Sequence, residues 1–560
     1  MRAEARHGHA RGRWFALLAA ILVLWFGFLE LRGLYFPDEG RYAEIPREML
    51  ASGDWVTPRL SGFPYFEKPP LQYWVTASVF AVAGEDEWTT RLWPALAGLL
   101  AVLAVMLTAR RLFGKRAGWM AAAVMASSWG FFLATQFVTL DMSLTAFMTG
   151  ALCAFAIAQD GRTDAPGRRR FMLLAWAACA LAILTKGPVA VVLPLLAVGA
   201  YVAITRDLSL LRRLHCGAGL AVAAAIAAPW FVLAELRNPG FAEFFFIHEH
   251  LHRYTQPGHR RPGPWWYFVP IAIAFLMPWL PAIIATLARR ESATPVVAPP
   301  GIDVRRFAWC SAAVIFVFFS LSSSKLPAYV MPAMGAVMLA VAAPLARNFA
   351  AAVRVTAWTL VACGVAAALL ALPVADLITI PLVREEYVDS TEWVIAGALV
   401  LVVAGALALG LLRARRRLPA LAAVVVASMV ACQIGGVLAY NVDSYFSAER
   451  LVEQVIASER ATRPFRPEVA FYSVDMFDGT VAFYLGRTLT VVRDQGELAW
   501  GIAAAPANFV ADFAEFERRW RAHGDAYAIM GVPTYDGLAG TGLPMRVVGR
   551  DGRRVVVARR

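Results

Sequence analysis

Two adjacent carboxylates and an arginine follow the first apolar segment of the chain. The segment runs from Phe15 to Leu31, and Pro37-Asp38-Glu39 and Arg41 come soon after it. Placing charged groups beside a membrane costs free energy unless they are solvated or serve a function, so this cluster is a candidate functional site. We expect the chemistry to lie on the membrane face where the segment emerges, with Asp38 as the candidate catalytic residue and Glu39 as its support.

Three of the four lysines lie at the outer ends of predicted helices. These are Lys68, Lys186 and Lys325, whereas Lys115 falls on the cytoplasmic side of the predicted topology. A compact ammonium is a natural point contact for phosphate, so all three are candidate phosphate ligands. Snorkelling of long side chains to the membrane interface explains the same pattern without a ligand.

Glu67 and three histidines form a candidate metal site. His248, His250 and His252 alternate along the chain, and zinc favours imidazole and carboxylate ligands. In a helix His248 and His252 share one face, whereas in a strand all three histidines do. The spacing is not a defined zinc motif, so single ligating histidines with solvent-facing neighbours fit the sequence as well as a full site.

Asp141 is a lone carboxylate in an otherwise apolar stretch at the outer end of a predicted span. It either belongs to the functional site or caps the N-terminus of the helix that follows it. The two roles are compatible.

The elements that must position these residues are membrane spans. The chain of 560 residues is 59% hydrophobic with a mean hydropathy of +0.56, which excludes an ordinary soluble protein. A spanning helix needs about 20 mostly apolar residues, and the sequence predicts a mainly α, polytopic membrane protein. The thirteen predicted spans are 14–31, 91–109, 117–134, 142–158, 171–185, 188–204, 216–236, 266–288, 307–322, 327–345, 354–373, 393–412 and 419–440.

Arginine clusters orient these spans. Arg110-Arg111, Arg168 to Arg170 and Arg415 to Arg417 mark cytoplasmic segments by the positive-inside rule. The N-terminus is then cytoplasmic, with segment 14–31 as a retained anchor, and the odd number of spans places the C-terminal region outside. Residues 441–560 are neutral overall, so residues 1–440 carry the whole net charge of +13. Attraction to anionic lipid accounts for this charge, and nothing supports nucleic-acid binding. All six cysteines lie in or beside spans, which predicts neither a disulfide framework nor a thiol metal motif.

Two long loops and one small domain lie on the outer side. Loop 32–90 contains two amphipathic helices, Asp38 to Ser52 and Pro70 to Ala83, of a kind that lies along the membrane interface. Loop 237–265 is rich in aromatic and histidine residues. We therefore predict a membrane domain over 1–440 and a small α/β domain over 441–560, in which no catalytic cluster is evident. The predicted helices of the latter are Ser447 to Arg460 and Asn508 to Arg521, and its strands are Val469 to Tyr472, Leu489 to Val492, Tyr527 to Met530 and Arg554 to Ala558.

The motifs together resemble glycosyltransferase family 83 of the C superfamily of membrane glycosyltransferases. The resemblance rests on Tyr35 to Tyr42, Phe66 to Leu71, Thr185 to Pro188 and Ser324 to Tyr329, and it covers essentially the whole chain. It implies the fold of that superfamily, with thirteen spans, interfacial helices and a C-terminal periplasmic domain. It also implies transfer of 4-amino-4-deoxy-L-arabinose from undecaprenyl phosphate to a phosphate of lipid A, in the periplasm of a Gram-negative bacterium. Masking that phosphate lowers the binding of polymyxin and other cationic peptides.

The resemblance assigns roles to individual positions. Residues that match Asp38 and Asp141 line the catalytic cavity in that family. Those matching Lys68 and Arg253 contact the donor phosphate, and those matching Glu67 and His248 bind a zinc ion, which we expect to be structural. Arg41, Lys186, Lys325 and Tyr329 are further candidate ligands of the donor phosphate. Direct displacement at the anomeric carbon inverts it, no nucleotide cofactor is needed, and the enzyme is expected to be a monomer that contacts membrane lipids.

Two other functions fit parts of the pattern. A protein O-mannosyltransferase also takes its sugar from a polyprenyl phosphate, in this case mannose. Its acceptor is a hydroxyl, which would require one aspartate as a general base. A polytopic lipid or sugar transporter is the alternative of another class. Transporters place their sites near the middle of the membrane, whereas the charged motifs here gather on one face.

Overall fold

The chain divides by internal contacts into two compact units. The computed structural model describes residues 15–252, 262–289, 301–462 and 469–559. The first unit comprises the described parts of Met1–Leu29, Arg91–Ala371 and Glu392–Gly435, and the second comprises those of Glu30–Thr90, Leu372–Thr391 and Gly436–Arg560. The predicted domain boundary at residue 440 stays a prediction, because these units group residues by contact and not by their ability to fold alone.

Helices cover all thirteen predicted hydrophobic segments. Seven of the described helices are long and apolar enough to cross a membrane, or eight if one bent pair counts as a single span, so the count of thirteen stays a prediction. The seven are Glu87–Phe113, Leu140–Ala158, Cys216–Arg237, Val304–Leu321, Phe349–Leu370, Thr391–Arg413 and Arg417–Asn441. The other helices of these segments are Phe15–Phe26, Lys115–Ser127, Trp129–Ala134, Ala165–Lys186, Val189–Thr205, Phe268–Leu276, Leu280–Ala288 and Ala333–Arg347.

Several predicted spans are interrupted. Ser128 is extended and separates Lys115–Ser127 from Trp129–Ala134. Phe268–Leu276 and Leu280–Ala288 meet at 96°, because Met277 precedes a proline and takes an extended backbone. Shorter helical pieces join the long helices: Ser209–Arg212, Phe241–Glu243, the π-helix Phe244–His252 and the 3₁₀ turn Pro327–Val330.

The second unit contains the helix that carries the carboxylate pair. This helix is Asp38–Ser52, as the sequence predicted, and the next is Leu71–Ala83. Its first turn holds Asp38 and Glu39, whose charges suit a helix N-terminus, and Gly53 ends it at φ 69°. Glu39 through Met49 are all buried. Gly40 packs so closely on the backbone of Thr480 that a Cβ there would lie 2.4 Å from its nitrogen, so only glycine fits this contact.

A six-stranded mixed sheet forms the core of the C-terminal part. Its strands are β3 (Ala470–Val474), β4 (Thr490–Val492), β5 (Phe509–Val510), β6 (Ala526–Gly531), β7 (Met545–Arg550) and β8 (Arg554–Arg559), in the order β5-β4-β3-β6-β8-β7. The first four in this order are parallel, whereas β8 runs antiparallel to β6 and β7. Two earlier strands, β1 (Arg59–Leu60) and β2 (Phe63–Pro64), form a separate hairpin.

The α/β character predicted for this region is confirmed. Its helices and turns are Glu449–Thr462, Gly479–Leu485, Gly496–Leu498, Ala499–Ala504, Pro506–Asn508, Phe513–Ala522 and Val532–Ala539, and Asp443–Tyr445 precedes them. Between the spans lie Pro373–Leu377 and Pro381–Asp389. The predicted helix from Asn508 begins five residues late, because Phe509–Val510 pairs with β4 and Asp512 caps the helix by accepting from the Glu515 amide at 2.8 Å.

Candidate active site

Asp38 belongs to a charged cluster centred on Arg41 in the second unit. The Arg41 guanidinium donates to the carboxylates of Asp38 and Glu497 and, at 2.9 Å, to the Tyr65 hydroxyl. The Arg41 side chain is 9% exposed, whereas that of Asp38 is 37% exposed. Asp38 is therefore the most exposed member of the cluster, ahead of the Glu497 side chain at 28%, while Arg41 is enclosed by its partners.

Burial and charge act against each other in this cluster. Burial alone would lower the pKa of Arg41, but the charges of Glu497 and Asp38 outweigh it and hold that pKa well above its usual range. Burial also raises the pKa of Glu497, which Arg41 opposes, and raises that of Tyr65 far above 10. Arg41 is thus a permanent cation and Tyr65 a neutral hydroxyl. Binding of the donor phosphate by Arg41 stays a prediction, because its donors already serve these partners.

Glu39 has the supporting role that the sequence predicted. Its two oxygens accept from Arg32 at 2.5 and 3.2 Å, and one also accepts from the Tyr35 amide at 3.0 Å. The residue is 2% exposed. A buried carboxylate with this many donors fixes the turn before the helix and leaves Asp38 as the accessible acid.

Lys68 and Glu67 follow the hairpin of β1 and β2. The carboxylate of Glu48 pins that hairpin by accepting from the amides of Ser61 and Gly62 at 2.5 and 2.8 Å. Lys68 is 9% exposed and donates to the carbonyl of Glu67 at 2.7 Å. The ammonium is thus held against the backbone next to it, and the snorkelling interpretation of Lys68 stays an alternative.

Asp141 forms a second cluster, in the first unit, with Lys186. Their charged atoms lie 2.5 Å apart, and the Lys186 ammonium lies 4.6 Å from the centre of the Tyr329 ring. Asp141 is in the first turn of Leu140–Ala158 and Lys186 in the last turn of Ala165–Lys186, so each charge also suits its helix terminus. The helix is preceded by Thr139 and has no side-chain cap, so the interpretation of Asp141 as an N-cap is wrong.

His250 fixes the chain beside Lys186. Its Nδ1 lies 2.7 Å from the carbonyl oxygen of Phe245, and its Nε2 lies 3.2 Å from that of Lys186. Gly187 ends the helix at φ 80°, and a Cβ there would lie 2.8 Å from His250 Nε2. The imidazole thus serves as a brace for the helix end that presents Lys186.

The other two histidines share one face of the π-helix Phe244–His252, with their ring centres 5.0 Å apart. Among the described residues, no group of three or more His, Cys, Asp or Glu side chains lies close enough to hold a metal. Structural zinc sites in proteins have four protein ligands. The pair formed by His248 and His252 falls short of this set, so no step of the chemistry is derived through zinc.

The two remaining predicted ligands of the donor phosphate are Arg253 and Lys325. Arg253 lies outside the described residues. Lys325 follows Val304–Leu321, is 8% exposed, and donates to the carbonyl of Ser322 at 2.5 Å. It precedes the 3₁₀ turn that carries Tyr329.

Sequence reasoning missed Glu497, Tyr65 and the bracing role of His250. Tyr65 stands directly before the Phe66-Glu67-Lys68 motif, and this proximity could have identified it. Glu497 has no such signal, because it lies 456 residues after Arg41 in a region where no catalytic cluster was evident. Only the fold brings these two side chains together.

Comparisons with known proteins show which family the whole chain resembles. Residues 457–559 match the model of the aminoarabinose transferase C-terminal domain, and residues 13–245 match that of dolichyl-phosphate-mannose-protein mannosyltransferase. The crystal structure of ArnT from Cupriavidus metallidurans bound to undecaprenyl phosphate is similar to the chain with a TM-score of 0.89 and 37% identity, over 98% of both chains.

Curated relatives carry one shared description, undecaprenyl phosphate-α-4-amino-4-deoxy-L-arabinose arabinosyl transferase. The relative from Edwardsiella ictaluri is 34% identical over 322 residues, which are 57% of this chain and 57% of that protein, so this match spans little more than half of the relative. Transferase 1 from Pseudomonas fluorescens Pf-5 is 30% identical over 511 residues, 86% of this chain and 88% of that protein. These likenesses and the seven apolar helices identify a multi-pass membrane protein.

Proposed function

The chain belongs to the family of undecaprenyl phosphate-α-4-amino-4-deoxy-L-arabinose arabinosyl transferases, and on this premise we propose that it transfers 4-amino-4-deoxy-L-arabinose from undecaprenyl phosphate to a phosphate of lipid A. The observation that carries the proposal is the likeness, over 98% of both chains, to a solved protein bound to undecaprenyl phosphate. The half-exposed Asp38 and its buried Arg41 support it, because they provide an accessible acid whose surroundings are fixed.

The proposed reaction is a direct displacement at the anomeric carbon of the sugar. An oxygen of the acceptor phosphate forms the new bond to this carbon while the bond to the oxygen of undecaprenyl phosphate breaks, and the leaving phosphate takes the electron pair. The configuration at the carbon is thereby inverted. Cations aimed at the leaving group stabilise the charge that develops there, and we assign this task to Lys68 and Arg253.

Asp38 has a different task in this scheme. A phosphate acceptor is ionised near neutral pH, so no strong general base is needed. The sugar carries an amino group, which is cationic near neutral pH, and an exposed carboxylate can pair with it. We assign this pairing to Asp38, whose orientation is set by Arg41, Tyr65 and Glu497.

The cluster of Asp141 and Lys186 supplies a second fixed pair of charges. Lys186 neutralises Asp141 at 2.5 Å and lies over the Tyr329 ring. We propose that Asp141 orients a substrate hydroxyl or amine through its second carboxylate oxygen, while Lys186 holds the first oxygen in place. Donor-phosphate binding by Lys186 is less favoured by this geometry, since its charge is already paired.

The cellular setting follows from the same proposal. The enzyme acts in the inner membrane of a Gram-negative bacterium, with its N-terminus cytoplasmic, its C-terminal region periplasmic and its active site open to the periplasm. It works as a monomer. Its product carries a cationic sugar on lipid A, which lowers the affinity of polymyxin and similar peptides for the cell.

Zinc is a separate proposal for Glu67 and His248. A zinc ion bound there would stabilise the loops that carry these residues without taking part in the transfer. Elemental analysis of the purified protein tests this: stoichiometric zinc that is lost in His248→Ala, with transfer retained, supports a structural ion. Protein that is fully active and free of zinc removes the proposal.

A second candidate is a protein O-mannosyltransferase, which the match of residues 13–245 favours. The two candidates differ in their acceptor. Mass spectrometry of lipid A from cells with and without the gene separates them: a mass increase of one pentosamine, dependent on the gene, supports aminoarabinose transfer. Unchanged lipid A together with gene-dependent hexose on protein supports the alternative.

A further inference from the structure

Lys325 is a buried lysine of the first unit that has no carboxylate partner. The residue is 8% exposed, and its Nζ donates to the carbonyl oxygen of Ser322 at 2.5 Å. Within the part of the chain that the structure describes, it forms no ion pair with an aspartate or glutamate. Lys186 differs in this respect, because Asp141 neutralises it at 2.5 Å. Of these two lysines, Lys325 alone keeps an uncompensated charge.

Such a charge is unfavourable unless something else compensates it. Removing an ammonium from water without a counter-charge costs free energy, and buried charges in proteins are as a rule paired. An ammonium has three donors, and the carbonyl of Ser322 takes one of them. The two that remain can serve an anionic ligand that supplies the missing charge.

The surroundings of Lys325 fit a ligand with several acceptor oxygens. The adjacent Ser324 is 4% exposed, and its hydroxyl is buried without a hydrogen-bond partner among the described residues. Gly263 packs on the stem of Lys325, where a Cβ would lie 3.0 Å from Cδ, so a larger residue would require the stem to shift by a few tenths of an ångström. An unused hydroxyl donor beside an unneutralised ammonium is the pairing that phosphate oxygens require.

We propose that Lys325, with Ser324, binds the phosphate of the acceptor lipid. The inference rests on the proposed function, in which two phosphates meet at one sugar carbon. Lys68 and Arg253 are assigned to the phosphate that leaves, so the phosphate that attacks needs its own cation. A lysine can also cap the last carbonyls of a helix without any ligand, and Ser322 lies at such an end. Kinetics with each substrate varied in turn separates the two roles.

The experiment uses the full-length protein in nanodiscs of phosphatidylcholine, with undecaprenyl phosphate-linked sugar and lipid A as substrates. We expect Lys325→Met to raise KM for lipid A by about ten- to a hundredfold, the range of a hydrogen-bonded charge, and to leave KM for the donor unchanged. Lys325→Arg should restore most of the acceptor affinity. Ser324→Ala should raise the same constant about two- to tenfold. Lys115→Met, which removes an exposed lysine, should change neither constant.

Each other outcome overturns the proposal. A rise in KM for the donor assigns Lys325 to the leaving phosphate. A lower melting temperature with unchanged acceptor KM assigns it to capping the helix. A wild-type acceptor KM that rises in phosphatidylglycerol nanodiscs, while that of Lys325→Met does not, assigns it to bulk anionic lipid. Failure of the proposed function is distinct, because the wild-type protein would then transfer no sugar to lipid A at all.

Discussion

Glu497→Gln is the sharpest test of how the C-terminal part supports the chemistry. In the folded chain Arg41 lies between two carboxylates, Asp38 and Glu497, and its guanidinium donates to both. Removing the charge of Glu497 leaves Asp38 as the one carboxylate paired with Arg41 among the described residues. Arg41 then binds the Asp38 carboxylate more tightly, so that Asp38 is less able to pair with the cationic amino group of the sugar.

The expected loss follows from the interaction that is removed. A hydrogen bond to a charged group contributes about 1.5–3 kcal/mol, and each 1.36 kcal/mol in the barrier is about tenfold in rate. We therefore expect kcat to fall about ten- to a hundredfold, with a smaller change in KM. The assay is transfer of labelled sugar to lipid A by purified protein in nanodiscs. Glu515→Gln is the matched control, because it removes a carboxylate that pairs with Arg519 at the surface of the same region, where such a pair contributes at most about 1 kcal/mol.

The pH profile gives an independent readout. Burial raises the pKa of Glu497, so its carboxylate gains a proton at a higher pH than an exposed glutamate does. The charge that Arg41 needs is therefore present above this raised pKa and lost as the pH falls through it. Wild-type activity should decline on that acid limb, and Glu497→Gln should lack it. Unchanged kcat in the variant, or an identical acid limb, would refute the coupling between Glu497 and Asp38.

Three further predictions concern the residues that hold the site. Glu39→Gln should lower the free energy of unfolding by about 3–5 kcal/mol, because it breaks the buried ion pair between Glu39 and Arg32; an unchanged melting temperature would contradict this. His250→Ala should lower kcat more than His250→Gln, since glutamine can still donate to the carbonyl of Lys186; equal losses at unchanged stability would show that His250 does not act through that bond. Asp141→Asn should lose transfer while retaining donor binding. The double variant with Lys186→Met should be less impaired than the sum of the two single changes, because the two residues form one ion pair. Additive losses in the double-mutant cycle would argue against this coupling.

Local patterns predicted the elements well. The helix Asp38–Ser52 was predicted at its exact bounds, because charged and apolar residues alternate with helical periodicity and Gly53 supplies the terminating conformation. Four of the strands of the C-terminal sheet were located by their β-branched and aromatic runs. The edge strands β5 and β7 were missed, since β5 has two residues and β7 mixes charged residues with glycine.

The contacts that shape the site were harder to predict. Asp38 and Asp141 were identified as single residues, but Glu497, which shares Arg41 with Asp38, and Lys186, which pairs with Asp141, lie 459 and 45 positions away along the chain. Periodicity reports which face of an element is apolar, and it carries no information about which distant side chain meets that face. Ser128 shows the same limit, because a serine inside an apolar run gives no sign that the helix breaks there.

The central claim is that this protein adds aminoarabinose to lipid A and that Asp38 is at the reacting centre. The most direct test is mass spectrometry of lipid A from cells that lack the gene and are complemented with either the wild-type protein or Asp38→Asn, at equal membrane levels. We expect the wild-type protein to restore the species heavier by one pentosamine, and Asp38→Asn to leave lipid A unmodified. Full modification by Asp38→Asn would contradict the role of Asp38, and unmodified lipid A with the wild-type protein would contradict the proposed function itself.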